Sequence, residues 1–146
     1  MASAVDFVLE SPNTNAVLLV EAKSISSPSP AWAGRFALSL LERAAPTANL
    51  FLLLVLRNHL YLWKHVPKPG AELPDVESRT DEVLAPYLRN VQTSLQDMNG
   101  LGFELLVRSL LTDMSEGSVP PSVEEWIRTA GLEQFENGVL REEQRN

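Results

Sequence analysis

The chain has 146 residues, of which 45% are hydrophobic and 21% charged, a size and composition typical of one globular domain with a substantial core. It has no cysteine and only two histidines, which excludes disulfides, thiolate nucleophiles and zinc ribbons and argues against a histidine-rich metal site. Any metal site must therefore use mainly oxygen ligands, which Mg²⁺, Mn²⁺ and Ca²⁺ prefer.

The formal net charge of −7 disfavours binding to nucleic acid, because phosphate contacts usually require a basic patch. The charge is uneven, however, and many acidic residues lie in the segments 72–82 and 116–143. The segment 23–68 has one acidic residue, Glu42, and these basic residues: Lys23, Arg35, Arg43, Arg57, Lys64 and Lys68. The first half of the chain is therefore locally basic.

Targeting signals are not evident in the sequence. No basic start leads into an apolar core at the N-terminus, and the longest apolar run covers only residues 50–56. A bilayer span needs roughly 20 apolar residues. We therefore expect a soluble cytoplasmic protein with no membrane partner.

Two strands and a helix are predicted in the first third of the chain. Residues 4–10 and 16–23 have strand composition, and the turn-forming residues 11–15 between them predict a hairpin. Pro30 suits the first turn of a helix with Ser29 as its N-cap. Apolar residues at three- and four-residue spacing then predict that this helix continues over 31–43.

A second hairpin follows the helix. Residues 50–56 form an uninterrupted apolar run typical of a buried strand, residues 57–59 form a turn, and residues 60–64 alternate as a strand does. A strand, a helix and a further buried strand predict a right-handed crossover with parallel strand pairing.

The remaining chain is predicted to be a loop followed by helices. The segment 66–81 contains three prolines and a glycine among charges, and we interpret it as a linker or long loop. Helices are predicted over 81–91, over 101–114 and from 121 to Gly131, the last capped by Ser118 or Ser122. Residues 139–143 are predicted to be a short solvated tail.

These elements predict an α/β fold organised as one compact unit. Residues 1–66 would form an α/β core with a mixed sheet of two hairpins joined by a crossover helix. Residues 67–80 would form a proline-rich linker, and residues 81–146 a helical annex packed on the core.

The most informative motif is the apolar strand Val17–Val20 that ends in Glu21-Ala22-Lys23. Side chains alternate along a strand, so Glu21 and Lys23 point to the same face. A carboxylate and an ammonium at the end of a buried strand are costly unless they pair or hold a metal or substrate. Asp6 lies fifteen positions upstream, in the preceding strand.

An aspartate strand, a turn, a Leu-Leu-Val-Glu-Ala-Lys strand, a helix and an apolar strand together resemble the PD-(D/E)XK nuclease superfamily, which has the restriction-endonuclease-like fold. The resemblance covers roughly residues 4–64. The segments 61–64, 84–87 and 103–107 are similar to a group of largely uncharacterised bacterial members. The resemblance implies a Mg²⁺- or Mn²⁺-dependent nuclease that hydrolyses phosphodiester bonds, in DNA rather than RNA.

The resemblance also implies a role for each site residue. Asp6 and Glu21 would be metal ligands, with the main-chain carbonyl of Ala22 as a third. Lys23 would orient or activate the attacking water and stabilise developing negative charge. Arg35, on the following helix, is a candidate for a basic residue that contacts substrate.

Further contacts are expected from the second hairpin and from a second subunit. Tyr61 and Trp63 alternate with leucines, and if they face solvent, they and Lys64 are candidates for contacting a nucleic acid or a protein partner. Many enzymes of this fold act as dimers, so a homodimer is one expected assembly, and the sequence leaves the oligomeric state open.

One departure from the family pattern concerns the N-terminus. Family members usually have a helix and a strand before the aspartate strand, whereas only five residues precede Asp6 here. The chain is then either a truncated form or a reduced member. The alternative to a nuclease is therefore a catalytically inactive nuclease-fold module that acts in protein binding or assembly.

Overall fold

A computed structural model describes residues 5–43 and 49–143 of the chain. The strands are β1 (Phe7–Glu10), β2 (Val17–Ala22), β3 (Leu50–Val55), β4 (His59–Val66), β5 (Val76–Arg79) and β6 (Val139–Glu142). The helices are α1 (Pro30–Arg43), α2 (Thr80–Val83), α3 (Ala85–Leu88), α4 (Gly100–Glu116) and α5 (Pro121–Ala130), and a 3₁₀ turn covers Glu133–Phe135.

The described strands form one six-stranded mixed sheet in the order β5-β4-β3-β2-β1-β6. Only β2 and β3 pair in parallel, and all other neighbours are antiparallel. Parallel pairing requires a crossover between the two strands, and α1 lies in that connection. The predicted α/β class, both hairpins and the parallel pairing through a crossover helix are therefore confirmed.

Helices cover both faces of the sheet because its central strands are apolar on both faces. All six residues of β3 are buried. On one face Leu52, Leu54 and Trp63 pack with Ala33, Ala37 and Leu40 of α1. On the other face the sheet packs with buried residues of α4 and α5: Phe103, Leu106, Val107, Leu110, Leu111, Met114, Val123, Ile127 and Ala130.

Helix α1 begins as its sequence predicts. Pro30 is its first residue, and the Ser29 hydroxyl accepts a hydrogen bond from the Trp32 amide at 3.1 Å. This bond satisfies one of the amides that a helix start leaves without a partner. The N-terminus of α5 differs from the prediction, because Pro120 occupies the N-cap position without a side-chain cap. Gly131 ends α5 in the left-handed conformation, as predicted.

The two edge strands of the sheet are absent from the sequence-based prediction. Strand β5 lies inside the segment interpreted as a linker, and β6 lies inside the segment interpreted as a solvated tail. Both are only four residues long, β5 has one apolar residue and β6 has two that are adjacent, so neither shows the apolar alternation that identifies a strand. They become strands because β4 and β1 offer them unpaired backbone groups.

The helix predicted over 81–91 is also interrupted. Helix α2 ends at Val83 and α3 begins at Ala85, so that segment contains two single turns. Pro86 lies in the first turn of α3, where its missing amide costs no hydrogen bond. None of the helices in the described ranges is both long enough and apolar enough to cross a membrane.

Gly34 is required where α1 meets the loop before β5. A Cβ added at Gly34 would lie 1.8 Å from the carbonyl oxygen of Glu72. We therefore expect Gly34→Ala to lower the free energy of unfolding by about 1 to 3 kcal/mol, the cost of overpacking a well-packed contact. Urea unfolding followed by circular dichroism measures this change.

Gly100→Ala is the matched control for this prediction. A Cβ at Gly100 would make only an ordinary contact, 3.4 Å from the Ser24 hydroxyl. An equal effect of the two substitutions would show that the approach of Glu72 to α1 is not a tight contact.

Candidate functional site

The candidate site lies where β2 ends, between β1 and β3. Asp6 precedes β1, and its amide donates to the Val20 carbonyl at 3.0 Å. Its carboxylate oxygen Oδ2 accepts a hydrogen bond from the Ala22 amide at 2.8 Å. Asp6 therefore contacts the residues on both sides of Glu21 through one main-chain and one side-chain bond.

Glu21 is a buried carboxylate with a lysine beside it. Only 1% of its surface is exposed, and its Oε2 lies 3.7 Å from Nζ of Lys23. The Lys23 side chain is 40% exposed, so its ammonium can be reached from solvent. Burial of a carboxylate is costly without compensating partners, and the lysine provides an opposite charge at the required place.

Both of these side chains belong to the face of the sheet that α1 covers. Leu19 packs in the core under α1, and Glu21 and Lys23 follow it at two-residue intervals. The main-chain amide of Lys23 donates to Val55 of β3 at 3.0 Å, so β2 remains attached to the central strand as far as Lys23. Because β2 keeps its pairing with β3 as far as Lys23, the side chains of Glu21 and Lys23 are neighbours on one face of the sheet.

A cross-strand row connects Glu21 to Tyr61. Glu21 is in register with Leu54 of β3, and Leu54 with Tyr61 of β4. The Tyr61 hydroxyl is within hydrogen-bond distance, 3.2 Å, of the Ser27 hydroxyl in the loop after Lys23. Burial raises the pKa of the Tyr61 phenol, the Ser27 bond opposes that rise, and nearby Glu77 adds to it. Tyr61 therefore stays a neutral hydroxyl at physiological pH.

The loop between Lys23 and α1 is fixed by the turn between β3 and β4. The Arg57 guanidinium donates from Nε to the Ser24 carbonyl at 2.6 Å, and the Arg57 amide donates to Ile25 at 2.8 Å. Asn58 bonds both backbone groups of Ser27, accepting from its amide at 2.9 Å and donating to its carbonyl at 2.8 Å. The main chain on the C-terminal side of Lys23 is therefore pre-organised.

Arg35 and Lys64 are not brought to this centre by any contact in the described residues. Arg35 is exposed on α1, next to Gly34. Lys64 alternates with Trp63 and therefore faces away from α1. Its Nζ would lie 2.8 Å from a Cβ at Gly131, the residue that ends α5. A cation near the C-terminal end of a helix is favourable, which gives Lys64 a structural role.

The aromatic contact surface expected around Lys64 does not form. Tyr61 and Trp63 are 1% and 0% exposed, because both pack in the core under α1. The leucines that alternate with them are buried on the opposite face. The alternating pattern correctly predicts a strand, but that strand is buried on both faces, so Tyr61 and Trp63 are not presented to solvent.

The oxygen donors at the end of β2 suit Mg²⁺ or Mn²⁺ better than zinc. They are the carboxylates of Asp6 and Glu21 and the carbonyl of Ala22. A strand residue directs its amide and its carbonyl to the same neighbour, so the Ala22 carbonyl lies on the side of Asp6. Mg²⁺ commonly binds one or two carboxylates and keeps several waters.

Within residues 5–43 and 49–143, no group of three or more His, Cys, Asp or Glu side chains could hold a metal ion. A site here would therefore depend on the two carboxylates, the Ala22 carbonyl and water. Hard oxygen donors of this kind favour Mg²⁺ or Mn²⁺ over zinc.

The sequence makes Asp6, Glu21 and Lys23 candidates, but it gives no such indication for the residues whose hydrogen bonds surround them. In the sequence, Arg57 and Asn58 belong only to a predicted turn, and Tyr61 only to a predicted strand. The sequence offers one indication of this role. An arginine and an asparagine are adjacent in the tight turn of an apolar hairpin, and both side chains carry several hydrogen-bonding groups that can bind neighbouring backbone.

Comparisons with protein-family models, with curated proteins and with solved structures found no match to this chain. The function of the site must therefore be inferred from the chemistry of its own residues.

The bond between the Asp6 carboxylate and the Ala22 amide predicts a difference between two substitutions. Asp6→Ala removes the acceptor, and we expect it to lower the free energy of unfolding by about 1 to 3 kcal/mol. Asp6→Asn keeps an acceptor oxygen in the same position and should cost clearly less. Urea unfolding of both variants tests this, and equal losses would show that the side-chain bond does not hold the hairpin.

Proposed function

We propose that this chain is a Mg²⁺-dependent nuclease that hydrolyses phosphodiester bonds, in DNA rather than RNA. The observation that carries the proposal is the buried Glu21 carboxylate with the half-exposed Lys23 ammonium 3.7 Å away and Asp6 bonded to the adjacent residue Ala22. Such a group combines metal-binding oxygens with a cation that solvent can reach. Both are components of a metal-dependent mechanism of phosphodiester hydrolysis.

Each residue has a distinct role in this proposal. Asp6, Glu21 and the Ala22 carbonyl would hold the metal, which when bound polarises the phosphate and acidifies a water molecule. Lys23 would orient the attacking water and stabilise negative charge that develops on the phosphate. The fixed loop after Lys23 keeps this ammonium in position, so little reorganisation is needed during the reaction.

The arrangement of the elements supports the same proposal at the level of the fold. The candidate residues lie on a hairpin, followed by a crossover helix and a parallel buried strand. A hairpin, a crossover helix and a parallel strand in this order resemble the restriction-endonuclease-like fold. Arg35, exposed on that helix, remains a proposed contact to the nucleic acid, whereas Lys64 faces the other side of the sheet and is not part of this proposal.

The second candidate function is a catalytically inactive module that acts in protein binding or assembly. The observation that favours it is the Asp6 carboxylate, which already accepts a hydrogen bond from a backbone amide and thereby serves the hairpin itself. The exposed apolar side chains Ile25, Leu101 and Leu105 add a surface on which a protein partner, including a second copy of the chain, could pack.

Metal binding and catalysis can be tested separately. Calorimetric titration with Mn²⁺ should show binding by the wild type and loss of binding in Glu21→Gln, because one of the two carboxylates is removed. Lys23→Met should still bind Mn²⁺ but cleave DNA at least about 100-fold more slowly, the usual cost of losing a group that stabilises the transition state.

Lys68→Met is the matched control, since Lys68 forms an ion pair with Asp75 away from the site. It should keep both metal binding and cleavage. A folded wild-type protein that neither binds Mn²⁺ nor cleaves DNA would exclude the nuclease and favour the binding module. Circular dichroism of every variant confirms that each one is folded.

A further inference from the structure

A cleft lies at the same end of the sheet as the candidate site, but Asp6, Glu21 and Lys23 do not line it. Its volume is about 630 Å³, and it lies between the β3–β4 turn, the end of β5, α3 and the segment 93–96. Ligand pockets typically have about 300 to 1,000 Å³. The cleft is therefore large enough for one small organic molecule.

The walls of this cleft are pre-formed because Arg57 joins three backbone segments. Besides the Ser24 carbonyl, its guanidinium donates to the Leu95 carbonyl, to Gln96 at 3.0 Å and to Met98 at 2.6 Å. Four hydrogen bonds occupy four of the five N–H groups of a guanidinium. A ligand in the cleft can therefore contact the group through the one remaining N–H or at its planar face.

The positive charge of Arg57 is not neutralised by these bonds. All of its hydrogen-bond partners in the described part of the chain are neutral carbonyls, and none of the ion pairs found there includes it. A planar guanidinium that has no ion pair attracts an aromatic ring to its face through cation–π contact and stacking. The side chain of Leu88 adds an apolar surface for the same ring.

Polar groups around the cleft suit the edges of a heterocyclic base. The side chains of Thr93 and Gln96 line the cleft with a hydroxyl and an amide. A purine or pyrimidine, which alternates donors and acceptors around a flat ring, matches this set.

Arg79 is a second cation that lines the same cleft. Its side chain is 62% exposed, donates two hydrogen bonds to Asp81 at 3.1 and 2.7 Å, and lies 3.9 Å from Glu82. Solvent screens these exposed pairs, so a phosphate can compete with Asp81 for the guanidinium. An arginine binds phosphate oxygens through two parallel hydrogen bonds.

We propose that this cleft binds a single nucleotide, with its base stacked on the face of the Arg57 guanidinium and its phosphate at Arg79. The nucleotide can be a free nucleoside monophosphate or one unit of a nucleic-acid strand, because both offer the same base and phosphate. This site is separate from Asp6, Glu21 and Lys23, and binding to it does not require the proposed nuclease activity.

The test uses calorimetry and ¹H–¹⁵N spectra of the full chain with AMP, adenosine, inorganic phosphate and a five-residue deoxyadenosine oligonucleotide. AMP should bind more tightly than adenosine, and phosphate alone should bind weakly. The side-chain Nε–H resonance of Arg57 should shift with AMP and adenosine, because a stacked base adds a ring current. A higher affinity for the oligonucleotide than for AMP identifies a strand as the source, and an equal or lower affinity identifies the free nucleotide.

Two matched pairs of variants locate the site. Gln96→Trp fills the cleft and should abolish binding of AMP and adenosine, whereas Gln92→Trp, outside the cleft, should keep it. Arg79→Gln should lower the affinity for AMP about two- to fivefold and leave the affinity for adenosine unchanged, because it removes only an exposed contact to the phosphate. Arg89→Gln is its control and should change neither affinity.

Four results would overturn the proposal. The first is equal binding of AMP and inorganic phosphate, which would show that the base makes no contact. The second is no binding of AMP to the folded wild type, and the third is binding of AMP by Gln96→Trp with wild-type affinity. The fourth uses tryptophan amide as an additional ligand: equal binding of tryptophan amide and adenosine would identify an aromatic peptide side chain as the ligand.

Discussion

The burial of β3 on both faces is the constraint on which the rest of the structure depends. Because all six of its residues are inaccessible to solvent, each face of the sheet needs its own layer of helices. Helix α1 provides one layer, and its position between β2 and β3 makes those strands parallel. Parallel neighbours end at the same edge of the sheet. That common edge is where Glu21, Lys23 and Arg57 are found.

The β3–β4 turn connects the two sites inferred at this edge. Asn58 fixes the loop that follows Lys23, while Arg57 fixes both that loop and the segment 95–98 that borders the nucleotide cleft. Side chains that bond several carbonyls restrict backbone segments which have no regular hydrogen-bonding pattern of their own. The turn therefore gives both sites rigid walls although much of their lining belongs to loops.

The sequence predicts those helices and strands whose apolar pattern and end residues are local. It does not predict strands that form only by pairing with a neighbour distant in sequence. The run over 50–56, the Ser29-Pro30 helix start and the Gly131 helix end follow from pattern and capping rules. Strands β5 and β6 do not, because these short sequences without apolar alternation acquire strand structure only from their neighbours. Asp6, Glu21 and Lys23 could be selected from residue type and alternation, whereas the bond from Ala22 to Asp6 depends on a register that no local pattern gives.

The pairing of β6 with β1 has a consequence for the order of folding. The Glu143 amide donates to the carbonyl of Asp6 at 2.9 Å, so the two ends of the described chain meet beside the candidate centre. Contacts between residues so far apart in sequence close a long loop and form late. During synthesis β1 and β2 leave the ribosome before β6, so the edge of β1 is open until β6 pairs with it. The nascent chain therefore completes its sheet beside Asp6 only after residues 139–143 have emerged.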